Sequence, residues 1–152
     1  MVGKIPQATD ALVRTIGSCF GTPRVVVTQA RPGWRLEDLL GDRVNVYLFQ
    51  VTEDRLAAND MLPSRPELRP VTLSYLVTFY GRGAGGNAEA VIGRLARSAA
   101  LDAAVEENGT IVPSGLVGSV SRTRLEEMAL VWGMLRRRHA LSIVVEVKGA
   151  VL

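Results

Sequence analysis

The run Pro70-Val71-Thr72-Leu73-Ser74-Tyr75-Leu76-Val77-Thr78-Phe79-Tyr80 decides what kind of sheet this chain builds. Val71, Leu73, Tyr75, Val77 and Phe79 fall on one face of an extended strand, and Thr72, Ser74, Thr78 and Tyr80 on the other. Leu76 is the one aliphatic residue on that second face. Side chains alternate across a pleated strand, so the pattern predicts one buried face and one that is wet or shared with a partner.

Around this strand the periodicity changes repeatedly. Ile5, Ala8, Leu12, Ile16 and Phe20 recur at helical spacing, which predicts a first helix from about Pro6 to Phe20, stopped by Gly21-Thr22-Pro23. Arg24 to Ala30 is Val-rich and reads as a strand, and Arg31 to Trp34 as a turn. Val44 to Thr52 is apolar on both faces apart from Asn45 and Gln50, the mark of a strand inside the sheet. Glu53 to Arg69 is a long polar connection in which Pro63 and Pro66 forbid regular structure. After the Pro70–Tyr80 strand come the glycine-rich residues 81–86, read as a flexible linker, and Asn87, read as a helix cap. The second helix carries Val91, Ile92, Leu95 and Ala99, runs into Asp102 to Glu107, and ends at Asn108-Gly109. Thr110 to Val120 reads as either a short strand or a loop. Thr123 and Glu126 have capping-box spacing for a third helix, which reaches about Leu135 with Leu125, Met128, Ala129, Trp132 and Leu135 as its core stripe. Leu141 to Lys148 closes the chain as a strand.

The order α-β-β-β-α-α-β groups strands apart from helices. It predicts an α+β fold: a mostly antiparallel four-stranded sheet covered on one face by helices, in a single domain over 1–152. A domain of this length buries roughly 70% of its unfolded surface and needs no covalent staple. Cys19 is the only cysteine, so no internal disulfide forms, and it reads as a small buried apolar residue. The opening residues Met1 to Asp10 have no apolar run, and no stretch is long enough to span a bilayer, so a cytoplasmic product with no membrane segment is expected. The net charge of +3 comes from scattered arginines, Arg136-Arg137-Arg138 apart, and scattered Arg makes no nucleic-acid stripe.

Three constellations bear on chemistry. Gly81-x-Gly83-x-x-Gly86 matches the dinucleotide fingerprint, with Asp102 acidic downstream. A nucleotide-binding enzyme using residues 81–86 is therefore one alternative, although the fingerprint belongs to a parallel strand buried on both faces. His139 is the only histidine, which rules out a two-histidine metal site within one chain, and it suits a helix C-terminus. The Arg136–Arg138 triplet supports a small nucleic-acid-binding domain as a further alternative, or simply complements the helix dipole. Leu130 and Met134 lie opposite the core stripe of the third helix and suggest a protein contact, as do Leu76, Thr78 and Tyr80 on the second face of the long strand. No catalytic residue, cofactor or metal site emerges.

The segment order and several motifs resemble the cap, or tail-terminator, proteins of phage-tail-like contractile injection systems. The resemblance is carried by Val44-Asn45-Val46-Tyr47-Leu48-Phe49, Leu56 to Asn59, Leu73-Ser74-Tyr75-Leu76-Val77-Thr78, Ile92-Gly93-Arg94-Leu95, Val131-Trp132 and Leu141 to Val147. It implies a non-enzymatic bacterial protein that forms a homohexameric ring at the distal end of inner tube and sheath, with tube and sheath proteins as partners. The expected contact residues are Leu76, Thr78, Tyr80, Arg82, Leu130, Met134, Arg136, Arg137 and Arg138. The loops over 53–69 and 81–86 are expected to be adaptable, and an exposed strand edge is expected to accept an extended arm of the sheath.

Overall fold

The computed structural model describes residues 4–21, 25–54, 69–102, 104–107, 110–113, 115–122, 125–135 and 140–152. Helix α1 (Ile5–Ser18) leads to β1 (Val25–Thr28), a short 3-10 helix (Leu36–Leu39), β2 (Asp42–Glu53) and β3 (Pro70–Tyr80). Then come α2 (Ala84–Arg97), β4 (Ala104–Glu107), β5 (Thr110–Pro113), β6 (Val117–Val120), α3 (Leu125–Leu135) and β7 (Ser142–Val151). Among the described residues the main sheet has five strands in the order β1-β2-β3-β7-β6, and β4 and β5 form a separate two-stranded sheet. In the main sheet β1 against β2 is parallel, and β2–β3, β3–β7 and β7–β6 are antiparallel. The mixed, mostly antiparallel sheet matches the α+β expectation, and β2 lies inside the sheet as its two-sided apolar pattern predicts.

The strand count and the helix cover both differ from expectation. The fifth strand is β6, from the stretch whose sequence read as strand or loop. The second helix does not run into Glu107 but stops at Arg97, and 104–107 pairs with 110–113. The Asn108-Gly109 stop expected of that helix lies outside the described residues, between the two strands that pair. Helix α2 also starts earlier than expected, with Gly83 at its N-cap and residues 84–86 in its first turn. Asn87 is therefore inside the helix, and the glycine run is the start of a helix and not a free linker.

The two sheet faces are built differently. On the first, α1 and α2 contribute Ala8, Ala11, Leu12, Ile16, Ala88, Val91 and Leu95. They pack on Val44 and Val46 of β2, Val145 and Val147 of β7, and the predicted Val71, Leu73, Tyr75, Val77 and Phe79 of β3. The stripe expected of α2 holds at Val91 and Leu95, but Ile92 and Ala99 are exposed. Helix α3 lies on the opposite face, where Trp132 and Leu135 bury Leu76 and Val144, flanked by Met128, Val131, Tyr47 and Phe49. Helices thus cover both faces. The α3 stripe holds at Met128, Trp132 and Leu135, whereas Ala129 is exposed and Val131 packs inward. Side chains of Leu125 and Glu126, and all of Thr123, lie outside the described residues, and so does the capping box expected there.

Candidate functional site

The second face of β3 is not left open. Leu76, Thr78 and Tyr80 are all fully buried within the single chain. The alternation that seemed to leave them wet instead marks a second, partly polar interior. Small hydroxyl side chains can be buried when a hydrogen-bond partner is supplied, and Thr78 Oγ1 lies 3.3 Å from Ser142 Oγ on the adjoining strand. Leu76 sits beneath α3.

Tyr80 is covered by the connection between β1 and β2. The ring of Trp34 meets it edge-on at 5.0 Å between centroids, and the Arg43 guanidinium lies 4.3 Å above its centre. That guanidinium is the centre of a network. Its Nε donates to Asp38 Oδ1 at 2.9 Å and its Nη2 to Asp38 Oδ2 at 3.0 Å, a two-pronged pairing suited to the planar group. Nη2 also donates to the Gly33 carbonyl at 2.7 Å, and Nη1 to Thr28 Oγ1 at 3.2 Å. Asp38 Oδ2 accepts from the Arg35 backbone at 2.8 Å. Asn45 accepts from Thr28 Oγ1 at 2.7 Å and from the Ala30 backbone at 3.1 Å, and donates to the Ala30 carbonyl at 2.8 Å. The side chains of Arg43 and Asp38 are only 6% and 1% exposed, so both charges are withdrawn from water as a pair. Burial pushes the Asp38 carboxyl up. The Arg43 hydrogen bonds and the Arg35 N–H outweigh it, and the net position is below the ordinary carboxylate value.

This network ties residues 29–41 to the sheet, with Pro32 buried and the leucines that follow facing outward. Leu36, Leu39 and Leu40 are 82%, 71% and 94% exposed, and Trp34 and Val26 are more than half exposed. Arg31 Nη2 donates to the Leu135 carbonyl at 3.1 Å, which ties the same connection to the end of α3. Helix α3 presents Leu130 and Met134 outward, as its sequence predicts. Arg82 is exposed and lines a cleft of about 300 Å³ with Asp38, Leu39, Leu40, Gly41 and Asp42. An adjoining cleft of about 260 Å³ is lined by Val26, Thr28, Arg35, Glu37 and Arg43 as well as Asp38, Gly41 and Asp42. Of the expected contact residues, Arg82, Leu130 and Met134 are at the surface, and Arg136, Arg137 and Arg138 lie outside the described residues, with His139. Of the loop over 53–69, residues 55–68 also lie outside them. The exposed leucines of the 3-10 helix went unnoticed in the sequence. Their only signal is three leucines within five residues of an otherwise polar turn.

The glycine motif has a structural explanation. Gly83 N–H donates to Asp42 Oδ1 at 3.0 Å and Asn87 Nδ2 to Asp42 Oδ2 at 3.3 Å, so a carboxylate from β2 occupies the start of α2. That is the position a pyrophosphate takes in a dinucleotide fold. Gly81 has φ +105°, and a Cβ there would come within 2.8 Å of the Gly41 carbonyl. The strand before it pairs antiparallel on both sides, not in a parallel βαβ unit. Asp102 acts as a clasp. It accepts from Ser18 Oγ at 2.8 Å and from Arg94 Nη2 at 2.6 Å, and its backbone N–H donates to Thr15 Oγ1 at 2.8 Å. The Ser18 and Arg94 bonds hold its carboxyl below the usual value. Burial pushes the Cys19 thiol up, the reverse of what a nucleophile requires. Among the described residues no cluster of His, Cys, Asp and Glu is arranged to hold a metal ion, and no helix is long and apolar enough to cross a membrane.

Residues 8–152 match the family model described as the Pvc16 N-terminal domain. No curated protein sequence matches the chain. Among solved structures, the fold is similar to a sheath/tube terminator in the extended state from PVC, an extracellular contractile injection system. The TM-score is 0.67 at 17% identity, over 100% of this chain and 58% of that one. It is also similar to the tube-terminating cap of the anti-feeding prophage, with TM-score 0.61 at 16% identity, over 97% of this chain and 54% of that one. The chain thus spans little more than half the length of those proteins, and at such identities the likeness establishes the fold. By its match to the Pvc16 N-terminal domain over nearly its whole length, the chain belongs to the cap and tail-terminator family of phage-tail-like contractile injection systems.

Proposed function

We propose that this chain is a structural capping domain, forming a homohexameric ring that terminates and stabilises the distal end of an inner tube and its sheath. It works by shape and contact, without catalysis. The observation that carries this reading is the family match over residues 8–152, joined to a fold shared with two terminator caps. The physical logic is one of symmetry. Tube and sheath grow through head-to-tail contacts that never close, so nothing intrinsic stops them. A terminator matches the last ring on one side, offers no copy of that surface on the other, and closes laterally on itself.

The surface chemistry agrees with a contact role. Apolar side chains at Leu36, Leu39, Leu40, Leu130 and Met134 face outward from the two elements that cover one side of the sheet. Arg82, Leu130 and Met134 belong to the contact surface, whereas Leu76, Thr78 and Tyr80 act from beneath by supporting the elements that bear it. The partners are other copies of the chain, tube and sheath, and the particles assemble in the cytoplasm. The test is electron microscopy of particles from cells lacking the protein. Sheaths of uncontrolled length or failed assembly are expected. Sealed injectors of normal length would overturn the proposal.

A further inference from the structure

The two edges of the main sheet are treated differently. At one edge, β1 is paired on one side only among the described residues. At the other, β6 carries no charge and no proline in Val117-Gly118-Ser119-Val120, and Val117 is 44% exposed. Proteins guard an edge of this kind with such residues or with covering chain, because a bare edge invites another strand. Here the cover is residues 98–102, which follow α2 and run along β6. Leu101 N–H donates to the Leu116 carbonyl at 3.1 Å, and Gly118 N–H donates to the Ala99 carbonyl at 2.8 Å. Between them Ala100 pairs with Val117 as a single antiparallel bridge. Leu101 is buried and packs over Gly118, where a Cβ would stand 3.0 Å from the leucine Cδ2.

A segment laid along an edge presents an edge of its own, and this one is closed by a side chain. The Ala99 carbonyl faces β6, and the carbonyls on either side of it are both taken by Arg94 of α2. Its Nη1 donates to the Ser98 carbonyl and its Nη2 to the Ala100 carbonyl at 3.0 Å. Nη2 also donates to Asp102 Oδ1 at 2.6 Å. Asp102 is anchored in turn to α1: its carboxylate accepts from Ser18 Oγ, and its backbone N–H donates to Thr15 Oγ1, both at 2.8 Å. The planar fork of a guanidinium lets one group hold two carbonyls and a carboxylate. It has donors and no acceptor, so it satisfies the outward carbonyls and offers the N–H groups of an incoming strand nothing to bind. We propose that residues 98–102 are a strap that seals the β6 edge against strand pairing with a second copy of the chain, and that Arg94 is its latch. Among the described residues no such strap covers β1, so the device makes the sheet one-sided toward added strands.

The test is Arg94→Ala, which removes the latch and leaves the strap's own sequence intact. Amide exchange followed by nuclear magnetic resonance is expected to quicken about tenfold or more at Leu101 and Gly118, the two N–H groups shared between strap and edge, while amides in the middle of β3 keep their rates. Sedimentation velocity is expected to show this variant associating beyond whatever the unaltered chain does at the same concentration. Adding Val117→Lys places a charge on the uncovered edge and should return association to the level of the unaltered chain, which locates the new contact at β6. Arg94→Lys keeps the charge and loses the fork, and it carries the same measurements if the alanine variant loses its circular dichroism spectrum. Unchanged exchange at Leu101 and Gly118, faster exchange with no added association, or added association that survives Val117→Lys would each overturn the strap. The inference does not rest on the capping role, which is read from particle length, so its failure leaves that role standing.

Discussion

The two faces of the central sheet solve the same burial problem with different chemistry. Under α1 and α2 the contact is almost wholly aliphatic and aromatic, with Leu12, Ile16, Leu73, Val77 and Phe79 removed from water. Such a face is non-directional. It holds the layers together, and it accepts any arrangement that fills the same volume. On the opposite face, Leu76 and Trp132 share the interior with Arg43, Asp38, Asn45 and Thr78. Hydrogen bonds are directional, and a buried charge is tolerable only in its paired geometry. The first face therefore supplies stability, and the second supplies a fixed shape to residues 29–41. The proposed capping role would draw on both, with the directional chemistry beneath the exposed leucines of residues 36–40.

The sharpest way to break this division is to remove volume from the aliphatic face. Phe79→Ala deletes a ring that is 1% exposed, and truncations of this kind cost about 3–5 kcal/mol. Urea unfolding followed by circular dichroism should show the whole cooperative transition shifting to lower denaturant. A change confined to residues 29–41, with the global midpoint intact, would contradict the role assigned to that face.

A change on the opposite face should act differently. Asp38→Asn keeps the shape but removes the charge that faces Arg43, and hydrogen bonds to charged groups are worth about 1.5–3 kcal/mol. Part of that loss should be local, read as altered fluorescence from exposed Trp34 while the far-ultraviolet spectrum persists. The same variant sharpens the pH dependence. The Asp38 and Asp102 carboxyls titrate below their unfolded value of about 3.9. Their contribution is therefore present above that pH and is lost as pH falls through it toward the folded values. The acid limb of a stability profile should be shallower in Asp38→Asn than in the unaltered chain. Identical limbs would mean that the pair is not what ties the connection down.

The aliphatic face was legible in the sequence and the opposite face was not, for the same physical reason. Every residue assigned to the buried side of β3 is in that core, because hydrophobic periodicity reports burial directly. Thr78 and Tyr80 carry the opposite signal in sequence. Their burial depends on partners, Ser142, Trp34 and Arg43, that lie far away along the chain. Asn87 misled in a related way. It reads as a cap, but the capping oxygen comes from Asp42, 41 residues before the N–H it accepts. The stretch 104–107 reads as the end of a helix because its pairing with 110–113 is not visible in local periodicity. Leu130 and Met134 were legible because the helix period places them opposite Trp132 without any long-range information.

Those two residues provide the smallest expected effect on stability and the cleanest separation of folding from contact. At 69% and 81% exposure, Leu130 and Met134 lose little burial on replacement, so Leu130→Ser with Met134→Ser should leave the unfolding midpoint within about 0.5 kcal/mol of the unaltered chain. If α3 is a contact element, the same double variant should lose assembly with tube, sheath or neighbouring copies, scored by light scattering and by particle length. Large destabilisation would mean that the outward side of α3 belongs to the interior. Unchanged stability together with unchanged assembly would move the contact surface from α3 to the β1 corner, where Leu36, Leu39 and Leu40 stand exposed on the connection that Arg43 and Asp38 hold in place.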